Sequence, residues 1–254
     1  MNWLMLCNYF RMPEGPSIII LKEAVQSFIG KKIKLAEGNT KIDLSRLNNK
    51  TIKDFKSWGK HFLICFNGFT VRIHFLMFGS YAINEKKDRP PRLSFQFTKG
   101  EINFYTCSVK IIDGDINEVY DWSSDVMNND WDPKKALEKL KCSTNLLVCD
   151  ALLDQNIFAG VGNIIKNEVL FRIRVHPKSI VDKMPAAKIK LLIKDAVDYS
   201  FEFLKWKKKF ELRKHWLAYN KKICPRCNIP LVKEHLGKTN RRSFFCDNCQ
   251  KLYS

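Results

Sequence analysis

Four cysteines near the end of the chain have the spacing of a metal-binding site. Cys224 and Cys227 form one C-x-x-C pair, and Cys246 and Cys249 form a second pair, with 18 residues between the two pairs. Each pair is typical of a tight turn, and two such turns can bring four thiolates into a tetrahedron, the usual ligand arrangement of structural zinc sites. A redox-active dithiol needs only one pair, so we predict one structural Zn²⁺ ion held by all four cysteines. Because the ion has no open position, it does no chemistry.

The segment between the two cysteine pairs carries groups that bind phosphate. Lys238, Arg241 and Arg242 precede two phenylalanines, and residues 201–254 contain 14 Lys or Arg against 4 Asp or Glu. A charge run by itself is usually only a solvated surface. On a hairpin fixed by a metal, however, the arginines become preorganised donors for phosphate oxygens.

A glycine-containing turn at residues 159–163 is a second candidate phosphate-binding element. It lies between two apolar helical stretches, so Gly160 and Gly162 are predicted to form a tight turn. Exposed N–H groups of such a turn, at the N-terminus of a helix, suit an anion. Alone, the pattern fits a plain connection between helices better, and only its combination with the basic hairpin favours phosphate binding.

The overall charge favours a polyanionic partner. The 254 residues carry a formal net charge of +18, which indicates nucleic acid more than a small metabolite. An anionic membrane surface is the competing partner, but the chain has no apolar run of about 18 residues that could span a bilayer. The odd number of cysteines and the lack of a signal-peptide pattern in residues 1–11 indicate a reducing compartment.

The periodicity of apolar residues predicts two differently built halves. Residues 13–32 fit a capped amphipathic helix, and residues 33–112 form short β-rich segments with a hairpin turn at Asn67-Gly68. This half is therefore predicted to be an antiparallel sandwich or flattened barrel behind one long helix. The second half reads as mainly helical until the cysteines begin, with predicted helices at 134–141, 143–155, 163–171 and 186–206. The predicted fold class is α+β.

Several motifs, in their order along the chain, resemble the formamidopyrimidine-DNA glycosylase and endonuclease VIII family. They are Met12-Pro13-Glu14-Gly15-Pro16, Gly59-Lys60, Leu153-Asp154-Gln155, Gly160-Val161-Gly162-Asn163-Ile164, Arg174-Val175-His176-Pro177 and the four-cysteine tail. The resemblance implies a base-excision repair enzyme that flips a damaged base out of duplex DNA, removes it and nicks the strand. It also implies four parts: an extension 1–11, a catalytic β-sandwich domain 12–122, a helix-two-turn-helix domain 123–220 and a zinc finger 221–254.

The resemblance assigns catalytic roles to Pro13, Glu14 and Lys60. The secondary amine of Pro13 would attack C1′ of the sugar, and an N-terminal amine has a pKa near 8, so more of it is unprotonated than of a lysine. Glu14 would protonate the ring oxygen, and Lys60 would lie beside the lesion phosphate. Residues 1–11 would block this amine. We interpret Met12 as the true start, with proteolytic processing or an inactive protein as the alternatives.

The resemblance also assigns DNA contacts. Asn163 and Arg241 would bind the phosphates flanking the flipped nucleotide, with Arg242 as the substitute for Arg241. Leu76, Met77 and Phe78 would supply the wedge that fills the gap in the base stack, and Met77 is the best single candidate. Without the family, an ordinary buried strand would be the preferred interpretation of these three residues. Ser17 departs from the glutamate that many family members carry there.

The substrate is predicted from smaller features. The Met-Pro-Glu-Gly-Pro start and the short connection into the finger favour endonuclease VIII and hence oxidised pyrimidines over 8-oxoguanine or formamidopyrimidine. A noncatalytic damaged-DNA-binding protein is the main alternative, and a zinc-ribbon transcription factor comes last. The expected partner is double-stranded DNA with damaged bases or abasic sites. We further expect a monomer without membrane association, in the bacterial cytoplasm at the nucleoid.

Overall fold

The computed structural model describes residues 13–254 as two compact units, the first ending at Tyr120 and the second beginning at Asp121. The predicted extension 1–11 lies outside the described residues. The first unit contains α1 (Gly15–Ala24), β1 (Leu35–Glu37), β2 (Asp54–Trp58), β3 (His61–Cys65), β4 (Phe69–Ile83), β5 (Leu93–Gln96) and β6 (Glu101–Asp113). The second contains α2 (Pro133–Lys141), α3 (Val148–Ala151), α4 (Asn163–Arg172), α5 (Ala186–Lys208), β7 (Val232–Leu236) and β8 (Arg241–Phe245).

The six strands of the first unit form one antiparallel sheet in the order β1-β5-β6-β4-β3-β2. Its centre is the pair of long strands β4 and β6. On one side, β5 pairs with β6 and is followed by β1. On the other side, β3 pairs with β4 and is followed by β2. The predicted turn at Asn67-Gly68 joins β3 to β4, and Gly68 takes the positive φ of +80° that the turn requires.

Aromatic side chains join the two ends of this sheet into a layered core. Phe62 of β3 lies 6.0 Å from Phe104 of β6, and Phe66 lies 6.4 Å from Phe95 of β5, measured between ring centroids. Helix α1 packs against β2 and β3. The predicted α+β class and the antiparallel β-sandwich behind an N-terminal helix are thus confirmed, although the helix ends at Ala24 and a 3₁₀ turn follows it.

The pairing of β4 with β6 is interrupted at its middle. Phe75 pairs with Cys107 and Ser80 pairs with Tyr105, so residues 76–79 lie opposite Thr106 alone. A Cβ atom on Gly79 would come within 2.7 Å of both the Phe75 Cβ and the Thr106 carbonyl oxygen. Only glycine therefore fits at residue 79, and the three residues before it leave the hydrogen-bonded ladder.

Three of the four helices predicted for the second unit are present in the structure. The prediction of one helix over 143–155 is wrong, because Asn145 has a φ of +53° and only Val148–Ala151 within this range is α-helical. Helix α2 begins where predicted because the Asp132 carboxylate accepts the N–H groups of Lys134 and Lys135. In the described part of the chain, no helix combines the length and the apolar character needed to cross a membrane.

A cluster of rings closes the first unit beside the β2–β3 turn. The Tyr120 hydroxyl lies 3.2 Å from Nδ1 of His61, and the His61 ring stands edge-on to the His74 ring at 5.1 Å. Burial lowers the pKa of His61 to about 3, and the nearby positive charges of Arg72 and Lys60 act in the same direction. Burial also lowers the pKa of His74. Both imidazoles are therefore neutral in the folded chain at neutral pH.

This cluster predicts how stability falls in acid. Between pH 6.5 and pH 3 the unfolded chain protonates His61 while the folded chain does not, so stability is lost as the pH falls through this window. The loss from this residue is at most about 1.4 kcal/mol for each pH unit. In His61→Gln, the decrease in unfolding free energy from pH 6.5 to pH 4 should be smaller than in the unchanged chain.

Urea unfolding at several pH values, followed by amide hydrogen exchange in residues 13–120, measures this difference. His235→Gln is the matched control because His235 is exposed. Equal pH dependence in the two variants would contradict the account of His61.

Candidate nucleic-acid interface

The predicted catalytic pair stands at the entrance to α1. Pro13 is half-buried, and Glu14 occupies the N-cap position with extended backbone angles and only 2% of its surface exposed. The Glu14 carbonyl accepts the Ser17 N–H at 2.8 Å, which starts the first helical turn. Pro16, with its fixed φ, favours the start of a helix here. The side chain of Glu14 is consequently held at a defined point of the first unit.

Lys60 belongs to the two-residue turn between β2 and β3. Trp58 pairs with His61 to close this turn, and Gly59 has the positive φ of +52°. The His74 ring is hydrogen-bonded to the backbone of Lys60, which ties the turn to β4. Because α1 packs against β2 and β3, the helix that follows Glu14 and the turn that carries Lys60 belong to one packed layer.

The three residues predicted as a wedge are exposed in the structure. Leu76, Met77 and Phe78 have 51%, 54% and 64% of their surfaces exposed, whereas Phe75 is buried. They are the part of β4 that leaves its pairing with β6. An ordinary buried strand is therefore excluded. Three adjacent large apolar side chains in water need a partner surface to cover them.

The four predicted ligand cysteines are brought together in the second unit. Their sulfur atoms all lie within 4.8 Å of one another, and the Sγ atoms of Cys224 and Cys249 are 3.8 Å apart. A tetrahedron with Zn–S bonds of about 2.3 Å has sulfur–sulfur edges of about 3.8 Å. Soft thiolate ligands in this geometry suit zinc, so the residues present fit the metal that was predicted from their spacing.

The hairpin of β7 and β8 lies between the two cysteine pairs and presents the predicted basic residues. Lys238, Arg241 and Arg242 are all exposed. The tip of this hairpin is held by Asp150 of α3, whose Oδ2 accepts the Lys238 N–H at 3.0 Å. A Cβ atom on Gly237 would come within 2.1 Å of the Asp150 carboxylate, so the tip and the carboxylate fit closely only with glycine there.

Three consecutive polar residues on α4, which the sequence analysis did not single out, hold this hairpin and the segment before it. Lys166 Nζ donates to the Arg242 carbonyl and to Ser243 Oγ, at 3.1 and 2.8 Å. Asn167 donates to the same carbonyl and accepts the Phe244 N–H at 2.7 Å. Glu168 accepts the N–H groups of residues 217, 218 and 219. Charged residues inside an apolar helix were the available signal.

The second cysteine pair is also fixed by the segment 174–177 that the family resemblance included. The ring of His176 lies 3.1 Å from the Asp247 carboxylate, and Gln250 donates to the Val175 carbonyl at 2.8 Å. Burial lowers the pKa of His176, and Asp247 opposes this shift.

The glycine turn differs from its prediction. Gly160 and Gly162 are buried, and the Gly160 N–H donates to the side-chain oxygen of Gln155 at 3.1 Å. The prediction that this N–H points outward is wrong, because Gln155 also donates to the Val161 carbonyl and so closes the turn on itself. Gly162 instead serves as the N-cap of α4. Asn163 follows as its first residue, with a buried Oδ1 atom that has no hydrogen-bond partner within residues 13–254.

Family models match most of the chain. Residues 12–108 match the formamidopyrimidine-DNA glycosylase N-terminal domain, and residues 123–208 match the formamidopyrimidine-DNA glycosylase H2TH domain. Among curated relatives, endonuclease 8-like 3 of Xenopus laevis is 32% identical over 229 residues, covering 85% of this chain and 37% of that protein. Human endonuclease 8-like 2 is 32% identical over 209 residues, covering 72% and 58%. The chain thus spans well under two thirds of these relatives.

Solved structures agree with the fold. A complex of the wild-type Lactococcus lactis formamidopyrimidine-DNA glycosylase with DNA containing an oxidised pyrimidine superposes with a TM-score of 0.83 at 22% identity, covering 94% of this chain and 100% of that one. A viral DNA glycosylase gives a TM-score of 0.82 at 20% identity with the same coverage. From the two domain matches, the sequence relatives and the shared fold, the chain belongs to the formamidopyrimidine-DNA glycosylase and endonuclease VIII family and stands close to endonuclease VIII.

Proposed function

We propose that the chain is a bifunctional DNA glycosylase and abasic-site lyase that removes oxidised bases from duplex DNA in base-excision repair. The observation that carries the proposal is the arrangement of the first unit. Pro13 and Glu14 directly precede a helix that packs on the two strands joined by the Lys60 turn. The same sheet exposes three apolar side chains that suit the gap left by a flipped base.

In the proposed reaction, the amine of Pro13 attacks C1′ and the bond from C1′ to the base breaks. Glu14 protonates the ring oxygen of the sugar, so the ring opens and an iminium forms between the proline nitrogen and C1′. Loss of a proton from C2′ then breaks the C3′–O bond, and loss of a proton from C4′ breaks the C5′–O bond. Water finally hydrolyses the iminium, which frees the sugar remnant and returns the Pro13 amine. Lys60 would bind the phosphate beside the lesion.

The second unit is proposed to bind the DNA backbone. Asn163 and Arg241 would contact the phosphates that flank the flipped nucleotide. Arg241 is favoured over Arg242 because Arg242 Nε already lies 3.4 Å from Nε2 of His235. We also propose that the four cysteines hold zinc, which closes the finger that carries Arg241. Gly160 and Gly162 would then contribute to DNA binding only indirectly, by shaping the start of α4.

Oxidised pyrimidines are the proposed preferred substrates. The endonuclease 8-like relatives and the Lactococcus lactis complex with oxidised-pyrimidine DNA support this choice, and glycosylase action on 8-oxoguanine or formamidopyrimidine is the alternative within the class. A noncatalytic damaged-DNA-binding protein is the alternative outside it, favoured by the residues that precede Pro13.

The monomeric state and the domain boundaries 12–122, 123–220 and 221–254 remain predictions. The bacterial nucleoid location also remains one, and the curated relatives named above are vertebrate proteins.

The amine mechanism predicts covalent trapping that depends on a free Pro13. With borohydride and a duplex containing an abasic site, protein whose first residue is Pro13 should form a stable complex with DNA, because reduction fixes the iminium. Protein that retains Met12 ahead of Pro13 is the matched control and should form none. Glu14→Gln should trap far more slowly. Equal trapping with and without Met12 would refute Pro13 as nucleophile, and binding without any trapping would favour the noncatalytic alternative.

The proposed phosphate contact predicts different effects at two adjacent arginines. Arg241→Gln should weaken binding to a duplex with a tetrahydrofuran abasic analogue about 10- to 100-fold, because a charge-assisted hydrogen bond to phosphate is lost. The slope of log K against log salt should fall by about 0.9. Arg242→Gln is the matched control with a smaller effect. Fluorescence anisotropy at several salt concentrations measures both, and a larger loss in Arg242→Gln would reverse the assignment.

The zinc assignment predicts a joint loss of binding and cleavage. Metal removal with a strong chelator should lower affinity for the abasic duplex more than tenfold and slow cleavage in parallel, because the finger no longer holds Arg241. Added Zn²⁺ should restore both, and the zinc content of the purified protein should be one per chain by mass spectrometry. Metal-free protein that cleaves normally would contradict this role.

A further inference from the structure

A groove of about 440 Å³ lies between α2 and α5 of the second unit. Its apolar floor is formed by Trp131, Leu137, Ile193 and Val197. Ile193 is buried, and the other three side chains are half-buried, so the floor is partly open to solvent. The Trp131 ring packs on buried Phe158 with 6.0 Å between the ring centroids, which fixes one wall. The proposed chemistry and DNA contacts use none of these residues.

The apolar surface of the groove continues along α5. Phe201 lies four residues after Val197 and therefore on the same face of the helix, about 6 Å further along its axis. Half of the Phe201 surface is exposed. An apolar groove with a large exposed apolar side chain next to it is typical of a surface that binds a partner.

The face of α5 that contains the groove points away from α4. Arg172 of α4 is ion-paired with Asp195 at 3.1 Å, and its guanidinium lies 5.3 Å from the centroid of the Tyr199 ring. Val197 lies two residues after Asp195, which is a rotation of about 200° about the helix axis. Phe201 has the same relation to Tyr199. Because α4 holds the basic hairpin, a partner in the groove leaves the proposed DNA contacts of this unit open.

Lysines surround the apolar floor. Lys134, Lys190 and Lys194 line the groove and are exposed. Lys194 is ion-paired with Asp198, whereas Lys134 and Lys190 have no ion pair within residues 13–254. The last two therefore keep an uncompensated positive charge at the edge of an apolar groove. A complementary partner presents apolar side chains flanked by carboxylates.

Duplex DNA is a poorer fit to this groove. It presents phosphates at its surface and keeps the faces of its bases stacked inside, so it would leave the apolar floor uncovered. An amphipathic helix instead carries apolar side chains at positions i and i+4, the spacing of Val197 and Phe201 along α5.

We propose that the groove binds an acidic amphipathic helix of a partner protein. Apolar side chains of that helix would enter the groove and cover Phe201, and its Asp or Glu side chains would lie beside Lys134 and Lys190. This binding goes beyond the proposed function and depends on neither the lyase chemistry nor the DNA contacts. The chain can then hold DNA and a second protein at the same time.

Peptide selection tests the class of partner. A displayed library of random peptides, each about 16 residues long, is enriched on the unchanged chain and depleted on Val197→Ser with Phe201→Ser. This variant keeps the net charge of the chain, so depletion removes peptides that bind only to the overall positive charge. The enriched peptides should carry apolar residues at helical spacing next to Asp or Glu. Enriched peptides without carboxylates, or no enrichment at all, would overturn the proposal.

The lysines are tested with two double variants of equal charge change. Lys134→Glu with Lys190→Glu reverses the edge of the groove, and Lys34→Glu with Lys99→Glu reverses two exposed lysines of the first unit. In fluorescence anisotropy the groove variant should bind an enriched peptide about 10- to 100-fold more weakly, because carboxylates then face carboxylates, and the control should lose far less. Amide hydrogen exchange verifies that all variants fold. Equal losses in the two double variants would overturn the proposal.

Two further measurements distinguish the partner helix from other occupants. The two lysine variants should bind the tetrahydrofuran duplex equally, and a larger loss in the groove variant would assign the groove to DNA instead. Sedimentation velocity should give one mass for the unchanged chain and for Val197→Ser with Phe201→Ser. Self-association that this change abolishes would assign the groove to a second copy of the chain. Either result would overturn the proposal, whereas a failure of borohydride trapping would affect only the proposed lyase function.

Discussion

The small hairpin of the second unit depends on hydrogen bonds from α4 for its position. The hairpin consists of two five-residue strands, and an isolated hairpin of this size is marginally stable in water. The buried ammonium of Lys166 and the amide of Asn167 both donate to the Arg242 carbonyl, so the backbone next to Arg241 is anchored to the helix. Asn163 begins the same helix one turn earlier. The two proposed phosphate-binding side chains of this unit thus belong to one rigid assembly.

The first unit obtains its exposed features from an irregularity in a regular sheet. The register shift between β4 and β6 leaves residues 76–79 outside the pairing of these two strands, and pairing resumes at Ser80. The same break therefore determines where the apolar wedge ends. The strands are hydrogen-bonded on both sides of the break, so the exposed side chains are held in fixed positions. Less conformational entropy is therefore lost on binding than with a flexible loop. A glycine at residue 79 and a positive φ of +49° at Thr106 make the break possible.

Local chemistry could be predicted from the sequence where few residues determine it. The cysteine spacing predicted the cluster, the Asn-Gly pair predicted a turn, and a long apolar period predicted α5. The helix over 143–155 was wrongly predicted because Asn145 adopts left-handed angles, which composition alone does not reveal.

Other features depend on pairings that a linear pattern does not contain. Lys166 can be recognised in the sequence as a charged residue inside an apolar helix, but its acceptors lie in the hairpin, about 76 residues further along the chain. The hydrogen bond from Lys87 Nζ to Ser80 Oγ likewise joins two segments that are separate in the sequence. The burial of the glycine turn follows from the side chain of Gln155, which closes it, and neither periodicity nor glycine content predicts that contact.

The exposure of Leu76, Met77 and Phe78 has a consequence for how copies of the chain behave in the absence of DNA. Such a patch tends to associate with another apolar surface, and an interrupted strand is a site where copies can meet. The net charge of +18 opposes this, since like-charged copies repel one another. Added salt screens both the repulsion between copies and the attraction to phosphate. Ionic strength therefore acts on the wedge in two ways, because it makes self-association easier under the same conditions in which it weakens the competing association with DNA.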